Sequence, residues 1–199
     1  MRALVGLVVC VAVAIPTAAA GTRSRLEPAP AVVKGACSWI AQAAKRQGSR
    51  WSTVCPAKVP RSFSTSVRYA GGVSAMTDFR SGYLIRGVSP DASSRNLHNG
   101  EWTFASGDPA AVGAVLLAPT DVNGRSYARY RTTRMVLAET AVTVYRLAPG
   151  TGMVSGHVVV EWTRRGQAYQ VGVYRWRGDR QAFALATGMA AATIRSLRR

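Results

Sequence analysis

The clearest hydrophobic pattern lies near the end of the chain, in the segment HVVVEWTRRGQAYQVGVYRW of residues 157–176. Apolar residues recur at every second position on both sides of Arg165-Gly166, which is the spacing of a β-hairpin with a two-residue turn. This turn predicts three opposed pairs on one buried face: Trp162 with Tyr169, Val160 with Val171, and Val158 with Val173. The other face then carries a mixed surface made of Val159, Glu161, Gln170 and Tyr174.

Apolar residues at helical spacing predict three helices. The first spans Cys37–Gln47 and ends at Gly48, with Ile40 and two alanines on one face. The second occupies residues 108–119, where Asp108 is suited to be the N-cap. The third is the C-terminal helix, with Asp179 as its predicted cap. Its apolar stripe consists of Phe183, Ala186, Ala190, Ile194 and Leu197.

Short β-branched or aromatic runs predict strands from Ser66 onward. They comprise VRYA (67–70), YLIRGV (83–88), EWTF (101–104) and two longer strands at about 125–136 and 139–147. In EWTF, Trp102 and Phe104 fall on one face, as in a half-buried strand. Together the elements predict an α+β fold. An antiparallel sheet of about 5–7 strands packs one face against an N-terminal helix and a C-terminal helix.

The N-terminus has the pattern of a secretory signal peptide over residues 1–20. Arg2 precedes an apolar run too short to span a bilayer, and the small residues 18–20 provide a cleavage site near Ala20. Removal of Arg2 lowers the formal net charge from +17 to +16. Residues 21–35 contain two prolines and no apolar period, which predicts a disordered tether, followed by a single α+β domain over 36–199.

One local pattern resembles a known group of proteins. Trp162, Gly166, Tyr169 and Val171 form the pattern W-x3-G-x2-Y-x-V, and an Ala/Leu-rich helix follows. This ending is similar to the hairpin-plus-helix ending of uncharacterised exported proteins from high-GC Gram-positive bacteria. The resemblance covers about 40 residues. It implies export and an α+β fold, and it implies no mechanism.

After cleavage two cysteines remain, Cys37 and Cys55. In an exported protein, which meets an oxidising compartment, such a pair most simply forms one disulfide. A catalytic thiol is the competing interpretation, and oxidation of the pair would remove it. The disulfide is expected to join the N-terminal helix to the start of the sheet.

Several kinds of chemistry lack their motifs. The chain has two histidines, His98 and His157. His157 and Glu161 share a strand face but stand about 13 Å apart, so they cannot form the close pair of a helical zinc motif. The hairpin register instead makes His157 the cross-strand partner of Tyr174. No G-x-S-x-G occurs, and GTGMVSG (150–156) precedes a strand where a dinucleotide motif opens a helix. We therefore expect no metal site, no cofactor and no assigned catalytic residue.

The acidic residues leave one small-molecule site open. Glu101, Glu139 and Glu161 lie in or beside strands, where they either converge as catalytic carboxylates or serve as ion-pair partners of the many arginines. His98 lies in the loop NLHNGEW just before Glu101, and loops often carry function. The pair His98 and Glu101 is therefore a candidate ligand pocket, whereas a polar turn is the structural alternative.

The most basic stretch is GRSYARYRTTR, residues 124–134. In a strand, Arg125, Tyr127, Arg129 and Arg131 point to one face at intervals of about 7 Å, which suits phosphates along a polyanion with a stacking residue between them. The alternative is a charged strand that protects a sheet edge. Further arginines flank the final hairpin: Arg164, Arg165, Arg175, Arg177 and Arg180.

Export changes the expected partner of these arginines. Outside the cell, a strongly basic domain meets anionic wall polymers and lipid headgroups, so no nucleic acid is expected. The sequence favours a soluble, exported, non-catalytic domain that associates with anionic cell-envelope polymers or lipids through the arginine-rich face. Two alternatives stay open: a small extracytoplasmic hydrolase or ligand-binding domain near His98, and a secreted partner-binding or inhibitor module.

Overall fold

A computed structural model of the chain describes residues 26–61, 66–71, 78–88, 101–117, 131–147, 156–174 and 178–198. The predicted signal peptide and the first five residues of the predicted tether lie outside these ranges. The helices are α1 (Ala31–Arg46), α2 (Pro109–Leu117) and α3 (Asp179–Ser196). The strands are β1 (Leu26–Pro28), β2 (Lys58–Pro60), β3 (Ser66–Gly71), β4 (Gly82–Val88), β5 (Glu101–Gly107), β6 (Arg131–Leu137), β7 (Thr140–Arg146), β8 (His157–Arg164) and β9 (Gln167–Tyr174).

Seven of the described strands form one antiparallel sheet in the order β3-β4-β5-β9-β8-β7-β6. The strands β1 and β2 pair separately as a short antiparallel ribbon. With α1 before the sheet and α3 after it, the predicted α+β class, the antiparallel sheet and the two packed terminal helices are confirmed.

The hairpin β8–β9 has the predicted register. Trp162 is opposite Tyr169, and the two rings stack with centroids 5.3 Å apart. The turn residues Arg165 and Gly166 have φ values of 50° and 76°, the left-handed conformation that a two-residue hairpin turn of type I′ requires. His157 is opposite Tyr174 as predicted, and their rings meet edge to face at 5.5 Å.

The main core lies between one face of the sheet and the helices α1 and α3. Trp102 and Phe104 of β5 are fully buried there. Helix α3 packs a stripe of small and apolar residues on the same face, which includes the predicted Ala186, Ala190 and Ile194. The indole of Trp102 lies directly over Gly87 of β4, where an added Cβ would come within 2.0 Å of Nε1. The absence of a side chain at Gly87 is therefore a condition for burying this tryptophan.

The opposite face of the sheet is also covered, contrary to the prediction of helices on one face only. Helix α2 inserts Val112 into a second core cluster, in which Val159 of β8 is fully buried. Gln170, predicted to lie on a mixed surface, is buried here and its Nε2 donates to the backbone carbonyl of Val112. As a result every residue of β5 is buried, on both faces. The predicted N-cap of α2 is confirmed, since Asp108 Oδ1 accepts a hydrogen bond from the Ala110 amide.

Residues 26–35 form regular structure, so the predicted tether does not extend beyond residue 25. Helix α1 begins at Ala31, six residues earlier than predicted, because Val33 continues the buried spacing of Cys37 and Ile40 by one further turn. Pro30 precedes the helix, with an extended ψ of 169°. Leu26 of β1 packs against the main core, which gives this segment apolar contacts that an unstructured tether lacks.

The beginning of α3 also differs from the prediction. Asp179 is the first helical residue, and Gly178 occupies the N-cap position that the prediction gave to Asp179. Asp179 Oδ2 accepts a hydrogen bond from Arg146 Nε at 3.0 Å, and the Arg146 guanidinium lies over the ring of Phe183. The carboxylate still lies at the positive end of the helix dipole, where negative charge is favourable. Asp179 therefore ties α3 to β7.

Candidate functional site

The predicted disulfide is present. Cys37 of α1 and Cys55 are bonded, with their Cα atoms 5.7 Å apart. The bond joins α1 to the segment that leads into β2, so it holds the short ribbon and the preceding residues against the helix. The competing interpretation of a catalytic thiol does not apply to the bonded pair.

Most residues of the predicted basic face lie outside the described ranges. Arg125, Tyr127 and Arg129 fall in the gap before β6, and Arg131 is the first residue of that strand, paired in register with Arg146. The side chain of Arg131 is also outside the description. The polyanion-binding role of these four residues therefore stays a prediction.

The predicted ligand pocket is described at one of its two residues. His98 lies outside the described ranges, whereas Glu101 is the first residue of β5 and is fully buried. The two carboxylate oxygens of Glu101 accept hydrogen bonds from Arg86 Nε and Nη2 at 2.6 and 2.8 Å. A buried carboxylate held by two charge-assisted hydrogen bonds has an evident structural role. A ligand pocket near His98 stays a prediction.

The three candidate carboxylates are engaged separately. Glu139 is exposed and pairs with Arg198 at 2.5 Å. The strand register places Glu161 four residues along the strands and two strands away from Glu101, a Cα separation of about 16 Å. Paired glycosidase carboxylates lie about 5 to 9.5 Å apart. The register therefore separates Glu101 from Glu161, and the ion pairs of Glu101 with Arg86 and of Glu139 with Arg198 favour the alternative in which these acids are ion-pair partners.

A pocket on the α1 and α3 side of the sheet, which we call the arginine pocket, gathers three cationic residues. Its volume is about 280 Å³. It opens at the turn end of the β8–β9 hairpin, between the C-terminal end of α3 and the segment that follows α1. Its described lining consists of Arg50, Trp51, Ser52, Val54, Arg164, Arg165, Gln167, Tyr169 and Leu197. None of these residues is acidic.

The hairpin explains why two of the arginines reach the pocket. Positions 164 and 167 are the last register pair before the turn, and they continue the face that carries Trp162 and Tyr169. This part of the face extends beyond the hydrophobic core, so polar residues replace apolar ones. Arg164 Nη1 donates to the Leu197 carbonyl at the end of α3, whereas Arg165 follows in the turn and is exposed.

The opposite wall is residues 50–54, which long-range contacts hold in place. The Val54 amide donates to the Tyr83 hydroxyl at 2.7 Å, and that hydroxyl donates to the Val54 carbonyl at 2.5 Å. Gln167 Nε2 donates to the Ser52 carbonyl at 2.8 Å, which ties the wall to β9 across the pocket. Burial raises the pKa of Tyr83, so its hydroxyl keeps the proton that it donates. The disulfide at Cys55 anchors the same segment on its other side.

The charges of the pocket are only partly compensated. Arg50 pairs with Asp108 at 3.1 Å, and its guanidinium lies 4.4 Å from the centre of the Trp51 ring. Among the described residues, neither Arg164 nor Arg165 has an acidic partner. Burial raises the pKa of Tyr169, and the positive charges of Arg164 and Arg165 oppose that shift without reversing it. The phenol therefore remains a neutral hydrogen-bond donor at physiological pH.

The described ranges contain no cluster of three or more His, Cys, Asp or Glu residues that could hold a metal ion. Among the described helices, none is both long and apolar enough to span a membrane.

No family model, curated protein or solved structure matches the chain. The resemblance of the C-terminal hairpin and helix to exported bacterial proteins therefore stays a prediction.

The sequence indicated two of the three arginines of the arginine pocket, Arg164 and Arg165. Nothing in the sequence pattern connects them with Arg50, which is more than one hundred residues earlier. One signal was available: Gln167 is polar at a position where the hairpin register predicts the buried face. The disulfide at Cys55 also indicated that the residues just before it are held against the fold.

Proposed function

We propose that this protein is an exported, non-catalytic domain that binds an anionic component of the cell envelope at its arginine-rich surface. The observation that carries the proposal is the convergence of Arg50, Arg164 and Arg165 on one pocket whose described lining contains no acid. The arginine pocket takes the role that the sequence assigned to residues 125–131.

The overall charge favours the same partner. The chain has 26 basic and 9 acidic residues, and a field of this sign concentrates polyanions near the surface. A concave site surrounded by low-dielectric protein strengthens this attraction locally. The three acids considered for catalysis are engaged in separate contacts, which supports binding rather than hydrolysis.

The disulfide supports the export part of the proposal. A structural disulfide persists in oxidising compartments, and the first 20 residues have the composition of a cleavable signal peptide. In the envelope, wall polymers and lipid headgroups supply the negative charge that a basic domain binds.

The proposal is tested by expressing the full chain in a Gram-positive host and measuring how much of it sediments with isolated envelopes. At low salt we expect most of the processed protein to sediment. At 1 M NaCl, where the Debye length is about 3 Å, we expect release into the supernatant. Processing of the signal peptide is measured on the same protein by its N-terminal sequence.

Two triple variants with the same net charge separate the pocket from general basicity. The pocket variant replaces Arg50, Arg164 and Arg165 by glutamine. The surface variant replaces three exposed basic residues elsewhere in the described part of the chain: Lys34, Arg134 and Arg180. We expect the pocket variant to lose retention at low salt and the surface variant to keep it. Retention that resists salt, or a cytoplasmic wild-type protein, would refute the proposal.

A further inference from the structure

Building on the proposed function, we propose that the arginine pocket is a site for a single phosphate ester carried on a small polyol, as found in a polyol-phosphate polymer. The pocket is thus assigned to one repeating unit of the polyanion, while the rest of the basic surface acts on the polymer as a whole. Charge, donor geometry, size and rigidity support the assignment independently.

The charge balance of the pocket favours an anionic ligand. Asp108 compensates Arg50, which leaves the positive charges of Arg164 and Arg165 without an acidic partner among the described residues. A phosphate ester supplies negative charge to these groups: about −1 for each phosphodiester inside a polymer and about −1.5 to −2 for a monoester at pH 7.

The hydrogen-bond donors of the pocket favour a phosphate group. A guanidinium presents N–H groups in a fixed fork that fits phosphate oxygens, and such charge-assisted hydrogen bonds are short and strong. Arg165 makes no hydrogen bond with any described residue, so its whole fork is open to a ligand. Tyr169 adds a neutral O–H donor beside these arginines. A phosphate group, with several acceptor oxygens, can accept from all of these donors at once.

The size of the pocket favours a small ligand. A volume of about 280 Å³ is just below the roughly 300 Å³ at which ligand pockets usually begin. The space suits a phosphate with a glycerol-sized or sugar-sized body rather than several units of a polymer. Trp51, Val54 and Leu197 supply apolar lining for the carbon skeleton of that body.

The surroundings of the pocket favour a polymer over a bilayer as the source of the phosphate. A domain that lies on a membrane inserts exposed apolar side chains beside its basic residues. The exposed large apolar residues of the described part are Val32, Trp39 and Val136, and none of them lines the pocket. A lipid headgroup would therefore bind without the anchoring that a membrane surface requires.

The wall of the pocket is formed before a ligand arrives. Tyr83 and Gln167 hold its outer wall through hydrogen bonds of 2.5 to 2.8 Å, and the disulfide limits the movement of that wall further. Binding then requires no rearrangement of this wall, so its conformational entropy cost falls on the exposed arginine side chains.

The test is calorimetric titration of the processed, purified protein with glycerol phosphate and with glycerate. The two probes share a polyol body and differ in the anionic group. We expect saturable binding of glycerol phosphate and at least tenfold weaker binding of glycerate. Equal affinities would overturn the assignment of phosphate, and the absence of saturable binding by either probe would overturn the site itself.

Matched variants locate the site on the protein. Arg165→Gln should weaken glycerol phosphate binding about 10- to 100-fold, since a hydrogen bond to a charged group is lost. Arg165→Lys keeps the positive charge but not the planar guanidinium, and it should weaken glycerol phosphate binding by an intermediate factor. Arg180→Gln removes an equal charge about 25 Å away along α3 and should change the affinity less than twofold. Equal losses in Arg165→Gln and Arg180→Gln would refute the site.

Two further measurements distinguish this inference from the proposed function. Salt-sensitive retention in envelopes without glycerol phosphate binding would overturn the phosphate site and leave the proposed function standing. Glycerol phosphate binding without retention would overturn the proposed function alone. The protein could instead bind vesicles containing phosphatidylglycerol more tightly than a glycerol phosphate polymer, and lose that binding in Arg165→Gln. This result would identify the membrane as the source of the phosphate and overturn the assignment to a polymer.

Discussion

Replacing Cys37 and Cys55 together by serine should lower the free energy of unfolding by about 3 kcal/mol. The disulfide closes a loop with a sequence separation of 18, and the chain-entropy relation for a loop of this size gives about 3 kcal/mol at 25 °C. With an unfolding entropy of about 2.1 cal/mol/K per residue over roughly 180 residues, this loss corresponds to a fall of about 8 °C in Tm.

The assay is thermal and urea unfolding followed by circular dichroism, on the oxidised wild type, the reduced wild type and the double serine variant. The reduced wild type controls for the serine side chains. Its free energy of unfolding should agree with that of the double serine variant within about 1 kcal/mol. Hydrogen exchange at residues 50–54 should accelerate in both, because one of the anchors of the pocket wall is lost. A Tm fall below about 2 °C in both would refute the loop-entropy reasoning for this bond.

Three further predictions concern single positions on the sheet. Gly87→Ala should lower the free energy of unfolding, measured in urea, by about 3 kcal/mol because the new Cβ meets the Trp102 indole. The control Gly113→Ala, which has open space in α2, should raise it by up to about 1 kcal/mol, and similar values for both variants would contradict the packing described. Glu101→Gln should cost about 3 kcal/mol by breaking the ion pair with its buried carboxylate, and a cost below about 1 kcal/mol would show that the pair is dispensable. Burial raises the folded-state pKa of Glu161, so its protonated form stabilises the fold below the unfolded pKa, and this contribution is lost as pH rises through the folded pKa. Glu161→Gln should therefore gain stability relative to the wild type between pH 4 and pH 7, and a difference independent of pH would contradict this sign.

The hairpin and the terminal helices could be predicted because their signals are local. Trp162 and Tyr169 lie symmetrically about a two-residue turn, and a register shift of one would move every apolar residue to the wrong face. The same reasoning failed for Gln170, which is buried beneath α2 although it is polar. When small or polar residues fill the second face of a strand, the sequence still alternates between apolar and polar residues. The pattern then does not show that a short helix covers that face.

The arginine pocket depends on contacts that no local pattern encodes. Arg50 and Gln167 line the same pocket because the segment after α1 returns to the sheet, where Tyr83 and the disulfide hold it. The sequence indicated the disulfide and the charged hairpin turn separately. The proximity of the disulfide segment to the hairpin turn follows from the order of the strands in the sheet, which places β9 between β5 and β8.

The most direct test of the central claim is to observe the arginine side chains during a titration with glycerol phosphate. Nitrogen-15 NMR resolves the Nε–H groups of individual arginines, which shift when an anion binds them. We predict saturable shifts at Arg50, Arg164 and Arg165 with one common dissociation constant, and no saturable shift at the exposed Arg134 and Arg180. Small, non-saturating shifts spread over all exposed arginines would contradict the claim that this pocket is the anion site.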